Sequence, residues 1–299
     1  MKESYKLDSI SYQKSYELLL KVESWLNSKG ILTKDTRFEK IKGNVKAIHD
    51  SFVGNSLDSL IAEKGIEELW LSLLESTPFE SIYKAFKDLK DHEIPRRKLR
   101  DTLSGPFLPT EEKSGTETVN SRNYLFELEL ASKLKNKGIN VNGFDDVKFT
   151  FESVDFTIEC KRIFSDKTVR TNIEKAYEQL KERMNANEKK RGIIALSIEK
   201  IFQTDHLYFS ATEAEVGTRI NNYIDSFIKQ NKQHFLRTIL DIRIIGFFII
   251  QKFIAIIEPQ HLLTSGFQVA VHPLCSPAHF QYSDYDRLMA LGNTLLKGV

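Results

Sequence analysis

The chain has 299 residues, of which 41% are hydrophobic and 28% are charged. This balance is typical of a globular protein with a sizeable buried core, and it excludes a disordered or fibrous chain. The formal net charge is only +2, so any binding to nucleic acid must come from local patches and not from the charge of the whole molecule.

Cysteine usage and hydropathy predict a compartment. Two cysteines, Cys160 and Cys275, are too few for a disulfide framework. The first residues, MKESYKLDSISYQ, lack the apolar core of a signal peptide. The most hydrophobic run, residues 244–257, contains Gln251 and Lys252 and is too short to cross a bilayer. We interpret it as a buried strand or a pair of strands, and the sequence predicts a cytoplasmic protein with no membrane partner.

The first part of the chain, residues 1–102, predicts helices joined by loops. Apolar residues recur at helical intervals over residues 16–26, 66–74 and 82–89. Gly30 follows the first of these stretches and predicts its C-cap. Strand-like alternation is rare here, which indicates an all-α segment.

Residues 104–121 have the composition of a linker, with two glycines, two prolines and several serines and threonines. The chain is therefore predicted to divide near residue 115. Residues 1–115 would form a helical N-terminal domain, and residues 116–299 would form a second domain of different character.

The second domain predicts alternating helices and strands. Helices are predicted over residues 122–137, with a stop at Gly138, over a stretch from a capping box at Thr171 and Glu174 to Met184, and over roughly 213–240. Strands are predicted over residues 147–151, 154–163, 192–198, 244–257 and 267–271. The order helix, hairpin, helix, buried strand is typical of an α/β sandwich.

The predicted hairpin brings two carboxylates together. If residues 152–153 form a two-residue turn, Val147 lies opposite Ile158 and Asp146 lies opposite Glu159. Cross-strand neighbours on one face are about 5 Å apart, close enough for two carboxylates to share a divalent cation. The apolar faces of the two strands also match in this register, and a slip of one residue would destroy that match.

The residue types at this position suit phosphodiester hydrolysis. Two adjacent carboxylates repel each other unless a cation lies between them, and Mg²⁺ prefers oxygen ligands of this kind. Lys161 is two residues beyond Glu159 and shares its face of the strand. Its ammonium group can therefore reach a metal-bound water or a scissile phosphate.

The segment Ile158-Glu159-Cys160-Lys161, which follows an aspartate at hairpin distance, resembles the PD-(D/E)xK nuclease superfamily. Residues 121–127 also resemble the first core helix of that superfamily. The resemblance covers about residues 121–198 and implies a restriction-endonuclease-like fold, in which helices flank a mixed sheet. Here that α/β fold would follow the all-α N-terminal domain.

The resemblance also implies roles for individual residues. Asp146 and Glu159 would be metal ligands, and Lys161 would position the attacking water. Glu127 would be a further acidic ligand, direct or through water, and the backbone carbonyl of Cys160 would face the metal. The cofactor would be Mg²⁺ or Mn²⁺.

Several alternatives surround these assignments. The proline of the superfamily motif is replaced by Asp145, which falls on the apolar face unless a bulge intervenes. Asp155 shares the face of Glu159 but lies about 13 Å away along the strand. Asp146 is therefore the predicted ligand. Gln179, on the following helix, is a candidate site residue, although a surface amide is the favoured interpretation.

Two further groups of residues have the composition of possible sites. His272, Cys275 and His279 are zinc-ligand types at short spacing, but a structural zinc site needs four ligands, so a turn-rich loop is predicted. Two basic clusters could contact phosphate or form solvated faces. They are Arg96, Arg97, Lys98 and Arg100, and Lys181, Arg183, Lys189, Lys190 and Arg191.

The sequence therefore predicts a Mg²⁺-dependent phosphodiesterase, with DNA favoured over RNA as its substrate. The resemblance implies an endonuclease of restriction or phage defence. The N-terminal domain would recognise the substrate, a partner protein or a second copy of the chain. One alternative is an inactive nuclease fold that binds nucleic acid or assembles a complex. Another is an interaction protein in which the helical domain binds the partner and the hairpin is only structural.

Overall fold

The computed structural model describes residues 12–113, 116–143, 146–185, 187–201, 208–236, 241–258, 262–274 and 282–296. These residues divide into two compact units, and the boundary lies between Lys133 and Leu134. We call them the helical unit and the sheet unit. The boundary predicted at residue 115 thus lies within the helical unit.

Every described element of the helical unit is helical. The helices are α1 (Tyr12–Ser28), α2 (Arg37–Val53), α3 (Leu57–Lys64), α4 (Ile66–Phe86), α5 (Arg96–Leu103) and α6 (Asn120–Asn136), whose last residues belong to the sheet unit. Gly30 has a φ of 74° and follows α1 as predicted. The two apolar patterns of residues 66–89 belong to one helix, α4, which contains Pro78.

A buried ion network links four parts of the helical unit. The Arg122 Nε atom lies 2.5 Å from Glu75, and Arg122 also lies 3.3 Å from Glu112. Arg37 lies 3.3 Å from the same Glu75 carboxylate and donates a hydrogen bond to the backbone oxygen of Thr102. Because breaking a buried pair leaves an uncompensated charge, this network holds the start of α6 in the helical unit.

The sheet unit contains a mixed sheet of seven described strands. They are β1 (Asn140–Gly143), β2 (Val147–Phe151), β3 (Val154–Arg162), β4 (Arg191–Ser197), β5 (Tyr208–Thr212), β6 (Ile244–Glu258) and β7 (Leu262–Pro273). The pairs β1–β2, β2–β3 and β6–β7 are antiparallel, whereas β3–β4, β4–β6 and β5–β6 are parallel. The predicted α/β class, with helices before a mixed sheet, is confirmed.

Strand β6 is the centre of the sheet. Along one edge, β7 pairs with residues 246–257 of β6. Along the other edge, β4 pairs with residues 244–250 and β5 pairs with residues 254–258. The long apolar run is therefore one strand and not two. It is long enough to pair with β4 and then with β5 along the same edge.

Helices cover both faces of the sheet. On one face, α7 (Val169–Met184) and α8 (Glu213–Leu236) bury a continuous apolar layer that includes Leu180 and Ile194. On the other face, α9 (Tyr282–Leu296) packs so closely that a Cβ at Gly246 would lie 2.5 Å from Leu288. In the part of the chain that is described, no helix is long and apolar enough to cross a membrane.

The predicted capping box at the start of α7 is wrong. The helix begins at Val169, so Thr171 and Glu174 lie inside its first turns. The Glu174 carboxylate instead accepts a hydrogen bond from Arg170 at 2.8 Å, an exposed pair one turn apart. The spacing of a capping box therefore occurs here without its function.

Candidate active site

The register of the β2–β3 hairpin is the one that the sequence predicts. Val147 pairs with Ile158, and the ladder runs to Phe151 and Val154. The residues between them, Glu152 and Ser153, have φ angles of 47° and 63°. Positive φ at both central positions is what a two-residue type I′ turn requires. The turn and the matching of the apolar faces thus fix one pairing.

Asp146 and Glu159 lie at the end of the β2–β3 ladder, beyond which β3 still pairs with β4. Asp146 directly precedes β2, and Glu159 is one residue beyond the last β2–β3 pair, Val147–Ile158. The β3–β4 ladder runs on to Arg162. Glu159 pairs with Ile194, which places it on the face of the sheet that α7 covers.

One guanidinium group contacts both carboxylates. The Arg183 Nη2 atom lies 2.7 Å from Asp146 Oδ1, and Arg183 Nη1 contacts Glu159 Oε2. Lys148 adds a second cation to Asp146, at 3.1 Å. The sequence had placed Arg183 only in a basic cluster. Arg183 lies one helical turn after Gln179 on α7, so the two side chains share one side of that helix, but this spacing alone does not indicate what they contact.

Lys161 is held from both sides. Its Nζ donates hydrogen bonds to Glu159 Oε1 at 2.5 Å and to Gln179 Oε1 at 2.6 Å. The favoured interpretation of Gln179 as a surface amide is therefore wrong. The amide oxygen of Gln179 orients the ammonium group next to the carboxylate, across the gap between α7 and β3.

The site is shielded from solvent but not closed. The side chain of Glu159 is 7% exposed and that of Asp146 is 16% exposed, whereas Arg183 is 28% exposed. Charges interact more strongly in such a partly desolvated setting than on an open surface. Two carboxylates and three cations thus form a compact polar cluster beside the apolar layer under α7.

Glu127 lies in the helical unit, in α6. Its Oε2 atom lies 2.5 Å from Nζ of Lys98, a residue of α5. Lys98 also lies 5.5 Å from the centre of the Tyr124 ring. Lys98 is buried, so the first basic cluster is not a continuous solvated face. The role of Glu127 as a metal ligand stays a prediction.

Of the other predicted residues, Asp155 lies outside the cluster, and the role of the Cys160 backbone carbonyl as a metal ligand stays a prediction. Asp155 accepts a hydrogen bond from Thr150 at 2.9 Å, across the hairpin near its turn, which agrees with its interpretation as a turn-proximal polar residue. Cys160 lies in β3 between Glu159 and Lys161, so its side chain points to the opposite face of the sheet. Asp145 lies outside the described residues.

The suspected zinc cluster is only partly described. His272 lies in β7, half-buried, with its ring centre 5.1 Å from Phe235 and 6.4 Å from Phe247. Burial lowers the pKa of His272, which favours a neutral ring among these aromatic neighbours. Cys275 and His279 lie outside the described residues.

The carboxylate pair is the candidate place for a divalent cation. Among the residues that the structure describes, no group of three or more His, Cys, Asp or Glu could hold a metal ion. Asp146 and Glu159 are a pair, however, and Mg²⁺ typically binds through one or two carboxylates plus waters and substrate phosphate. Both carboxylates contact the Arg183 cation, which indicates that the space between them accommodates positive charge. These two oxygen ligands therefore fit a divalent cation.

Comparison of the chain with protein-family models, with curated proteins and with solved structures gives no match. Function therefore has to be inferred from the side chains of the cluster. Two carboxylates can bind a cation, and a lysine fixed by an amide can donate to an anionic oxygen. Together these groups suit a reaction that develops negative charge on a phosphate.

Proposed function

We propose that this protein is a metal-dependent nuclease that hydrolyses phosphodiester bonds at the cluster of Asp146, Glu159 and Lys161. The observation that carries the proposal is the contact of both carboxylates with one cationic group, beside a lysine that bonds to Glu159. Residues from β2, β3 and α7 meet there. An exposed charge pair on a strand would not draw side chains from three elements into one half-buried cluster.

Each side chain has a role in this proposal. Asp146 and Glu159 hold the cation, and Lys161, oriented by Gln179, donates to the attacked phosphate or to the incoming water. When bound, Mg²⁺ or Mn²⁺ would neutralise phosphate charge and make water a better nucleophile at neutral pH. The resemblance to the PD-(D/E)xK superfamily, at Ile158 to Lys161, supports the same roles, and it adds the Cys160 carbonyl as a ligand.

The substrate we propose is DNA, cut internally in restriction or phage defence. This part of the proposal is supported by the superfamily resemblance alone. The helical unit would then bind the substrate, a partner protein or a second copy of the chain. Arg97 and Arg100 of α5 are exposed cations on that unit and could contribute to binding a phosphate backbone.

The direct test is a cleavage assay with the full-length protein. Plasmid, linear double-stranded DNA, single-stranded DNA and single-stranded RNA would be incubated with Mg²⁺ or Mn²⁺. We expect Asp146→Asn, Glu159→Gln and Lys161→Ala to lower the cleavage rate by about 100-fold or more, because each removes a group that acts on the developing charge. Asp155→Asn is the matched control, since it changes an aspartate of the same hairpin that bonds only near the turn.

The proposal fails if the wild-type protein cuts none of these substrates, or if the three variants cut as fast as wild type. Asp155→Asn should cut at close to the wild-type rate; if it loses activity while Asp146→Asn does not, the aspartate has been chosen wrongly. Glu127→Gln tests the remaining acidic ligand. Unchanged Mn²⁺ affinity and unchanged cleavage in that variant would remove Glu127 from the ligand set.

One observation favours a second candidate, an inactive nuclease fold that binds nucleic acid. The Arg183 guanidinium already compensates both carboxylates, so the cluster is electrostatically satisfied without a metal. If the protein is such an inactive fold, Asp146→Asn and Glu159→Gln should bind DNA as tightly as wild type does. Calorimetry should then detect no metal binding. Metal binding that is lost in these two variants would exclude it.

A further inference from the structure

We infer that Arg183 is an internal counter-cation of the carboxylate pair, which a divalent metal ion has to displace in order to bind. The inference rests on the proposed metal site. It assigns to Arg183 a function that neither the motif nor the basic cluster of the sequence indicates. In the metal-free protein the guanidinium occupies the position of the cation, and metal affinity is set partly by this competition.

The competition follows from the atoms that Arg183 uses. Its two terminal nitrogens contact Asp146 Oδ1 and Glu159 Oε2, one oxygen of each carboxylate. Mg²⁺ binds oxygens at about 2.1 Å in a near-octahedral arrangement. A guanidinium in contact with the same two oxygens would overlap that ion. The two cations therefore exclude each other.

The cluster also needs a counter-cation when no metal is present. Asp146 and Glu159 are only 16% and 7% exposed at their side chains, so water screens their repulsion poorly. Lys161 bonds to Glu159 Oε1 and Lys148 contacts Asp146 Oδ2. Arg183 contacts both carboxylates at once.

Arg183 is placed where it can leave. It is the penultimate residue of α7, and its side chain is 28% exposed, more than those of Asp146, Glu159 and Lys161. A change of rotamer would carry the guanidinium toward solvent without moving the helix, because the flexible stem of arginine spans several bonds. Lys161 would stay in place, since Gln179 holds it independently of Arg183.

The test measures Mn²⁺ binding to the metal-free, full-length protein. Calorimetry and the electron paramagnetic resonance signal of free Mn²⁺ are the two readouts. We expect Arg183→Gln to bind Mn²⁺ about tenfold more tightly than wild type, because the competing cation is gone. Arg183→Lys keeps the charge but contacts fewer oxygens, and its affinity should lie between the two. Arg170→Gln is the matched control, since it makes the same change on α7 and breaks only the exposed pair with Glu174.

A second readout needs no metal. Without metal, Arg183→Gln should unfold at a lower temperature than wild type, and adding Asp146→Asn to it should restore part of the loss by removing the repulsion. Saturating Mn²⁺ should stabilise Arg183→Gln more than wild type. Arg170→Gln should behave as wild type in both conditions.

The outcomes separate this inference from the proposed function. If wild type binds Mn²⁺ and Arg183→Gln binds it equally or more weakly, the inference is overturned while the metal site stands. If neither protein binds Mn²⁺, but Asp146→Asn still restores the stability of Arg183→Gln, then Arg183 is a permanent counter-ion. That result overturns both the displacement of Arg183 by a metal ion and the proposed metal-dependent nuclease activity. If Arg183→Gln binds Mn²⁺ and wild type does not, the competition between Arg183 and the metal ion is supported. In that case Arg183 blocks the wild-type site under the conditions of the assay.

Discussion

Glu80 of α4 carries a buried carboxyl group in the helical unit. It is 3% exposed, and burial raises its pKa from 4.5 to about 7. The charge of Lys84 and a hydrogen bond with Ser15 oppose this rise but do not overcome it. At acidic pH the group is neutral, and near neutrality folding has to accommodate a partly charged carboxylate in a buried position.

This pKa predicts that stability falls as pH rises from about 4.5 to 7. In that window the folded protein keeps a proton that the unfolded chain has lost, so deprotonation favours unfolding, by about 3 kcal/mol in total. Glu80→Gln should flatten the dependence and stabilise the protein at pH 8. Urea unfolding at pH 5 and pH 8 measures this, with the exposed Glu63→Gln as control. Parallel curves for Glu80→Gln and wild type would contradict the assignment.

Single residues also show what the sequence could and could not predict about the candidate site. The choice of Asp146 over Asp155 follows from the turn length and from the distance along the strand, and both are local properties of one hairpin. Arg183 and Gln179 could not be assigned in the same way. Their contacts depend on how α7 lies across β3, and the sequence determines only which side of the helix is apolar.

The hairpin turn is an element whose geometry conflicts with its residues. Glu152 and Ser153 both adopt positive φ, a region that costs a residue with a Cβ roughly 1 kcal/mol or more. Ser153→Gly should therefore stabilise the protein by about 1 kcal/mol. Thermal or urea unfolding measures the gain, and Ser153→Ala, which keeps the Cβ, should give none. Equal effects of the two substitutions would show that the backbone of the turn is not the cause.

Helix α9 contains a glycine that packing requires. Alanine has a higher helix propensity than glycine by about 1 kcal/mol, so Gly292→Ala would stabilise an isolated helix. In this protein the added Cβ would lie 2.0 Å from Cγ2 of Val271 in β7. We expect a net loss of about 1–3 kcal/mol from overpacking.

The variants Gly292→Ala and Val271→Ala, alone and combined, separate the gain in helix propensity from the loss by overpacking. Val271→Ala removes the methyl group that the new Cβ would meet, so the double variant should be more stable than the sum of the single variants indicates. Unfolding free energies of the four proteins give that coupling directly. A Gly292→Ala variant that is more stable than wild type would mean that α9 can shift away from β7.

At the scale of elements, long amphipathic or apolar patterns were predictable and short elements were not. Strands β2, β3 and β4 lie within a residue of their predicted bounds, because each has a clear hydrophobic pattern. Strand β1, with only four residues, offers too little pattern to recognise. Helix α2 carries a usable signal at its start, since the Thr36 side chain accepts a hydrogen bond from the backbone of Glu39 as an N-cap.

At the scale of the molecule, the division of the chain depends on long-range contacts. The composition of residues 104–121 indicates a linker, yet the first turns of α6 belong to the helical unit. Arg122 reaches back to Glu75 and also bonds to the backbone oxygens of Pro106 and Phe107. A cut at residue 115 would leave the buried Glu75 carboxylate without this partner. Local composition could not reveal this, because the contact joins residues 47 positions apart.

Strand β6 sets the order in which the sheet should open. The backbone of residues 246–250 is paired on both edges, with β4 and β7, and that of residues 254–257 with β5 and β7. Strand β1, at the end of the sheet, pairs with β2. Amide protons in these two parts of β6 should exchange with deuterium only through global unfolding, whereas those of β1 should exchange orders of magnitude faster through local opening. Exchange followed by mass spectrometry would detect this gradient, and equal protection of β1 and β6 would mean that the sheet opens as one cooperative body.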